Sequence, residues 1–172
     1  GISVQPIDKN LIKGGIICGV FLCAGTTLQT AGLVYTSPGK AGFITALYMV
    51  IIPIINLFFG KKPRLIILVS VFLAVMGLYL MCIQSSLSLN FGDLLILMCS
   101  FVFAGHILVI DYYSSKVDGV KLSCVHVFVC GIINIMMALL FEKPSIAPLR
   151  SAWGTIAYSG IMSCSIAYTL QI

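Results

Sequence analysis

The sequence predicts an all-α integral membrane protein with six transmembrane helices, and three observations carry that expectation. Of 172 residues, 60% are hydrophobic and only 9% are charged, against about 25% charged in an ordinary soluble domain. Too few charges remain to coat a water-facing surface. The charges are also bunched, leaving uncharged windows at 14–39, 41–60, 65–92, 94–110, 122–141 and 151–172. A hydrocarbon core about 30 Å thick takes about 20 residues of helix, so each window can hold a span. Finally, runs such as Leu65-Ile66-Ile67-Leu68-Val69 and Ile132-Ile133-Asn134-Ile135-Met136-Met137 lack the apolar–polar alternation of a transmembrane strand.

The six helices are expected at about 12–34, 41–59, 65–83, 92–110, 122–141 and 151–172, and breakers separate them. Ser37-Pro38-Gly39 ends the first, and Gly60-Lys61-Lys62-Pro63-Arg64 ends the second. Ser85 to Asn90 follows the third; Asp111 to Lys121, with Gly119, follows the fourth. Glu142 to Arg150, with two prolines, precedes the sixth. Such residues favour turns over continued helix. Asp93 falls in the first turn of the fourth helix, where the exposed N–H groups favour a carboxylate. None of these connections is large enough for an enzyme domain.

Alternating the connections across the membrane places Lys9, Lys13, Lys61, Lys62, Arg64, Lys116 and Lys121 on one side. Lys40, Lys143 and Arg150 fall on the other. The cation-rich side is then cytoplasmic, and the chain enters the first span from inside. In a soluble protein the net charge of +5 would point to nucleic acid; here it follows topology, and no nucleic-acid partner is expected. Trp153, Tyr35 and Tyr79 near outer ends, with Tyr112 and Tyr113 near an inner end, suit an interfacial aromatic belt. The seven cysteines (Cys18, Cys23, Cys82, Cys99, Cys124, Cys130, Cys164) lie inside apolar windows with no C-x-x-C pair. They read as small packing residues rather than disulfide partners or metal ligands. No signal peptide is visible.

Polar groups inside a bilayer are costly, so each is a functional candidate. Gln29 sits near the outer end of the first span. On the second, Thr45, Tyr48 and Asn56 recur at helical spacing around Pro53, whose missing N–H and bulky ring should kink the helix. A kinked helix with a polar stripe fits a cavity wall; local hydrogen bonding by Thr and Tyr is the plainer alternative. His106, inside the fourth span with Phe103 one turn before it, is the best titratable candidate, since histidine ionises near neutrality. An interhelical hydrogen bond is the competing role. His126 lies nearer the interface and reads as structural. On the sixth span Tyr168 and Gln171 are one turn apart, with Cys164, Ser159, Ser163 and Ser165 on the same helix. They suit a substrate wall or close helix contact equally well. Gly15-x-x-x-Gly19 in the first span is a close-approach pattern.

Other classes find little support. H-E-x-x-H and G-x-S-x-G are absent, there is no intramembrane aspartate pair, and the five acidic residues lie at helix ends or in loops, so neither enzyme nor metal site is expected. A pair formed by His106 and His126 could ligate a b-type haem. With no second pair or glycine-rich slot, that is a remote alternative, and no cofactor is expected. Thr27-Leu28-Gln29 recurs as Thr169-Leu170-Gln171, 142 residues later. The copies fall in spans one and six, so the duplication unit has five helices. An odd number forces the copies into opposite orientations, as in many secondary transporters.

The stretch Leu28-Gln29-Thr30-Ala31-Gly32-Leu33-Val34-Tyr35-Thr36-Ser37-Pro38-Gly39-Lys40-Ala41-Gly42, continued by Phe43-Ile44-Thr45-Ala46-Leu47-Tyr48, resembles the EamA-like family of the drug/metabolite transporter superfamily. So do Pro53, Gly60-Lys61-Lys62-Pro63, Gly77-Leu78-Tyr79-Leu80, Gly92-Asp93-Leu94-Leu95, His106, Val117-Asp118-Gly119-Val120-Lys121 and Ala167-Tyr168-Thr169-Leu170-Gln171. His126 departs from the glutamine more usual there. The resemblance implies a ten-helix inverted-repeat (5+5) transporter, of which these would be helices three to eight. Residues 1–86 would then be the later part of the first repeat, and 87–172 the earlier part of the second. It implies export of a small metabolite such as an amino acid by alternating access, with proton coupling left open. The substrate-cavity candidates are Gln29, Thr45, Tyr48, Asn56, His106, Tyr168 and Gln171, with Pro53 as the kink. The expected setting is the plasma or inner membrane, with lipid and a small-molecule substrate as partners and a homodimer allowed. The alternative is a membrane scaffold or subunit that transports nothing.

Overall fold

The computed structural model describes residues 9–60, 65–82, 90–141, 153–158 and 160. Among them are seven helices and no strand: α1 (Lys9–Leu33), α2 (Pro38–Ala46), α3 (Tyr48–Phe58), α4 (Leu65–Cys82), α5 (Phe91–Ser114), α6 (Gly119–Phe141) and α7 (Trp153–Tyr158). Helices are what a bilayer demands, because no water is available there to satisfy stray peptide groups. Four stretches are long and apolar enough to cross one: Lys9–Leu33, Pro38–Phe58, Phe91–Ser114 and Gly119–Phe141. α4 occupies the expected third span and carries a shorter apolar stretch, Ile67–Gly77. Of the expected sixth span only α7 and Gly160 are described; Ser159, Ser163, Cys164, Ser165, Tyr168 and Gln171 lie outside the described residues.

The second expected span differs in detail. It is not one helix over 41–59 but two, α2 and α3, interrupted at Leu47. There the turn tightens: the Leu47 N–H donates to the Ile44 carbonyl at 3.2 Å, three residues back, and the Leu47 carbonyl accepts from both Val50 and Ile51. Pro53 lies inside α3. The entry to α2 is built by Ser37, whose hydroxyl accepts from the Lys40 N–H, and by Pro38 in the first turn, where its missing N–H removes no helical bond. At the other end Gly60 takes φ +75°, the left-handed conformation that closes a helix at little cost to glycine. Asp118 caps α6 by accepting from the N–H groups of Val120 and Lys121, as N-cap carboxylates do.

The chain forms two compact units, residues 1–23 with 109–172 and residues 24–108, and α1 and α5 contribute to both. These are groups of touching helices and do not follow the division at 86/87, which concerns duplication.

In the first unit, α1 turns Gly14, Gly15 and Gly19 to its neighbours. A Cβ on Gly15 would run into Val125, and one on Gly19 would lie 2.7 Å from the Val129 side chain and 2.9 Å from the His126 carbonyl oxygen. The Gly15-x-x-x-Gly19 pattern is thus a backbone-to-helix contact with α6. The facing stripe of α6 is Leu122, Ser123, His126 and Cys130, all buried. Its other faces are apolar and open, with Phe128, Ile132, Ile135, Leu139 and Leu140 exposed, an aggregation hazard in water and an ordinary lipid-facing surface in a bilayer. At the α5–α6 connection the Lys116 ammonium sits 3.6 Å over the Tyr112 ring.

In the second unit the later half of α1 packs on the first half of α5 by the same device. A Cβ on Gly25 would meet the Phe103 ring at 2.7 Å; one on Gly32 would meet Ile96 at 2.6 Å and the Gly92 carbonyl oxygen at 2.9 Å. Ile96, Ala41 and Ile44 form a small apolar cluster with Phe43 and Leu47 against it. Among the cysteines whose side chains are described, Cys18, Cys23, Cys99 and Cys130 are buried and Cys124 is exposed, and none of them is in a disulfide. Of the expected belt residues, Tyr35, Tyr112 and Trp153 are exposed and Tyr113 is half-buried; the Tyr79 side chain lies outside those described.

Close approach predicts a position-specific cost. Gly19→Val should destabilise the protein by about 1–3 kcal/mol, as overpacking does. Gly131→Val, on α6 with open space around it, should be neutral or stabilise by a few tenths of a kcal/mol, since valine has the better helix propensity. Thermal unfolding of both variants in detergent distinguishes them.

Candidate functional site

Two polar groupings stand out within residues 24–108, one at the α1–α2 seam and one at the end where α2 and α5 begin. At the seam, Gln29 of α1 donates from Nε2 to the Thr45 hydroxyl of α2 at 3.3 Å. Both side chains are half-buried, so the structure brings together two of the residues expected to line a cavity. Tyr48 and Asn56 lie on α3 and are also half-buried. The interruption at Leu47 falls between Thr45 and Tyr48, with Leu47 itself in the right-handed helical region.

His106 is buried on α5, and His126 is buried on α6 in the other unit. The His126 Nδ1 lies 3.1 Å from the Leu122 carbonyl oxygen. A carbonyl only accepts, so Nδ1 carries the proton, and the ring is tied to the turn before it in the structural role expected of it. Asn134 makes the same backward bond, to the Cys130 carbonyl at 2.9 Å. Such i−4 bonds satisfy part of a polar side chain's hydrogen-bonding capacity within its own helix. Among the described residues no group of three or more His, Cys, Asp or Glu side chains gathers to hold a metal ion.

The second grouping was not legible as a site. Asp93, 2% exposed, is stabilised in four ways at once. Lys40 of α2 donates from Nζ to Oδ2 at 2.6 Å, and the Thr36 hydroxyl donates to Oδ1 at 2.7 Å. The Asn90 backbone N–H donates to Oδ2 at 2.7 Å, while the α5 backbone supplies the positive end of its dipole. The Asn90 bond is half of a capping box, the role the sequence assigns. The bonds from Lys40 and Thr36 tie the α1–α2 turn and α2 to the start of α5. Around them Tyr35 folds back, its ring 6.0 Å from that of Phe91 at 78°. A Cβ on Gly92 would meet the Gly32 carbonyl oxygen at 2.6 Å. One signal was available: Lys40 is among only three cations on the cation-poor side, where a lone lysine is disfavoured unless something holds it.

What these features define is a multi-pass α-helical membrane protein with polar side chains paired between helices. More particularly, the chain belongs to the EamA-like transporter family, which matches it over residues 2–83 and 90–172. It is also similar to an uncharacterized transporter of Archaeoglobus fulgidus, with 37% identity over 107 residues. That match covers 59% of this chain and 33% of the relative, so the chain spans about a third of the relative's length. No solved structure matches it. The family is one of transporters rather than enzymes.

A double-mutant cycle measures the tie at Asp93. Fully exposed pairs contribute about 0–1 kcal/mol and breaking a fully buried one costs about 3–5 kcal/mol. With Lys40 15% and Asp93 2% exposed, Lys40→Met and Asp93→Asn should couple by about 1–3 kcal/mol in detergent thermal unfolding. Additive effects would mean that the pair does not hold the two helices.

Proposed function

We propose that the protein is a permease that moves a small polar or amphipathic metabolite, such as an amino acid, outward by alternating access. The observation that carries this reading is the Gln29–Thr45 contact. Uncharged hydrogen-bonding groups at a helix seam can exchange partners with a polar solute at low cost, whereas a dry apolar seam offers it nothing. Membership of a transporter family supplies the context. The six expected helices would be part of a ten-helix protein of two inverted five-helix repeats, joined near 86/87. Support comes from the family's match in two stretches, 2–83 and 90–172, and from the repeated Thr-Leu-Gln, whose second copy is outside the described residues.

Histidine is the residue type that ordinarily ionises near neutrality, and a proton would be coupled through His106 if transport is driven by one. Gln29, Thr45, Tyr48 and Asn56 would face the solute, with Tyr168 and Gln171 completing the wall and Pro53 shaping it. The cell or inner membrane is the expected setting.

In the full-length protein, Gln29→Ala and His106→Ala should each lower metabolite flux into or out of proteoliposomes at least tenfold, about 1.4 kcal/mol in transition-state terms, with membrane expression unchanged. Normal flux in both variants would remove these residues from the pathway. Absence of any substrate-dependent flux in the unaltered protein, across a panel of amino acids and related metabolites, would favour the scaffold alternative.

A further inference from the structure

Within residues 24–108, α2 has the mechanics of a lid. It is only 9 residues long and is separated from α3 by the single-residue interruption at Leu47. Two things hold it to α5. One is a small apolar footing, Ala41 and Ile44 on Ile96; the other is the Lys40–Asp93 ion pair. Beside it, α1 and α5 meet at close range, the Gly32 position against the Ile96 side chain and the Gly92 position against the Gly32 carbonyl oxygen and Tyr35. The strongest restraint at this end is electrostatic, and it joins residues 53 apart in sequence. A buried carboxylate gives up its partner only where water or another partner replaces it, so such a pair is two-state: formed and dry, or parted and wet.

We propose that α2 is a lid hinged at Leu47 and locked by the Lys40–Asp93 pair, so that this end opens to the outside only when the pair parts. The inference rests on the alternating-access reading above. Thr36 is the lock's keeper: its hydroxyl occupies Asp93 Oδ1, while Oδ2 accepts from the ammonium and from the Asn90 N–H.

The test uses the full-length protein in right-side-out membrane vesicles, with native cysteines replaced and Ala41→Cys as reporter. Ala41 is 2% exposed beneath the lid and becomes accessible when α2 lifts. A membrane-impermeant methanethiosulfonate added outside should label it slowly in the otherwise unaltered background. Lys40→Met and Asp93→Asn should each speed labelling about tenfold, corresponding to about 1.4 kcal/mol. The two substitutions change local charge in opposite directions, so an effect on thiol reactivity alone cannot accelerate both. Exchanging the residues, Lys40→Asp with Asp93→Lys, should return the rate to within about threefold of background. Rates within about twofold of background in both single variants, or acceleration in only one, would overturn the lock. Should the charge variants not yield folded protein, Thr36→Val, which keeps both charges, decides: several-fold faster labelling supports the lock and an unchanged rate overturns it. Labelling needs no substrate, so a protein that opens as described yet moves none of the metabolites offered sinks the transport reading and leaves the lock standing.

Discussion

The structure depends first on how closely α1 can approach its neighbours. Between helices in a bilayer there is no hydrophobic driving force, because lipid tails are as apolar as leucine; association rests on contact and on hydrogen bonds. α1 meets that constraint with glycine. Gly15 and Gly19 take the side chains of α6, and Gly25 and Gly32 take those of α5. Each glycine costs about 0.5–1 kcal/mol in a helix relative to alanine. In lipid that loss is tolerable, since unwinding would expose peptide groups with nothing to bind them. α1 contributes to both compact units, so each is organised about a part of this one helix.

Polar chemistry is then distributed by depth. Inside the spans polar side chains bond to a neighbouring helix or to their own: Gln29 to Thr45, His126 and Asn134 to carbonyls one turn back, and the Cys99 thiol to the Gly25 carbonyl at 3.1 Å. Full charges appear where the helices reach the interface, and there the strongest interaction is Lys40 with Asp93. A weak polar seam is suited to exchanging partners with a solute. A short charged tie is suited to holding one arrangement until it is broken. The two are built from α2, with Lys40 and Thr45 on the same short helix, so the proposed binding and closure would be mechanically linked.

Much of this could be read in the sequence. Hydropathy finds the apolar core of a span, and the windows at 14–39, 41–60, 94–110 and 122–141 each became a helix or a helix pair. Helix ends were less legible: α5 runs on to Ser114 past Asp111, and α6 starts at Gly119, ahead of the charged Lys121. A charge ends the apolar core, but a helix can extend into water and be capped there, as Asp118 does for α6. The interruption at Leu47 leaves no mark in composition, because a tightened turn is made by backbone geometry among ordinary apolar residues. Asp93 read correctly as a helix-start carboxylate, yet its partner lay 53 residues away. Pairing across helices depends on rotation and register, which periodicity in so uniformly apolar a chain does not fix. The Gln29–Thr45 contact was approached from the right residues for a general reason: polar groups are rare enough in a bilayer that few candidates compete.

The proposed directions of transport and of lid opening both depend on which end of the helices faces out, and the charge asymmetry of the sequence leads us to expect the Lys40–Asp93 end there. Ser37 and Ser115 flank the two ends, in the turns before α2 and after α5. Introduced as single cysteines into a cysteine-free full-length protein, they report the two sides. On intact cells an impermeant maleimide should label Ser37→Cys, and should reach Ser115→Cys only after permeabilisation. The opposite pattern would invert the proposed direction of opening, and labelling of both from outside would contradict the membrane crossing itself.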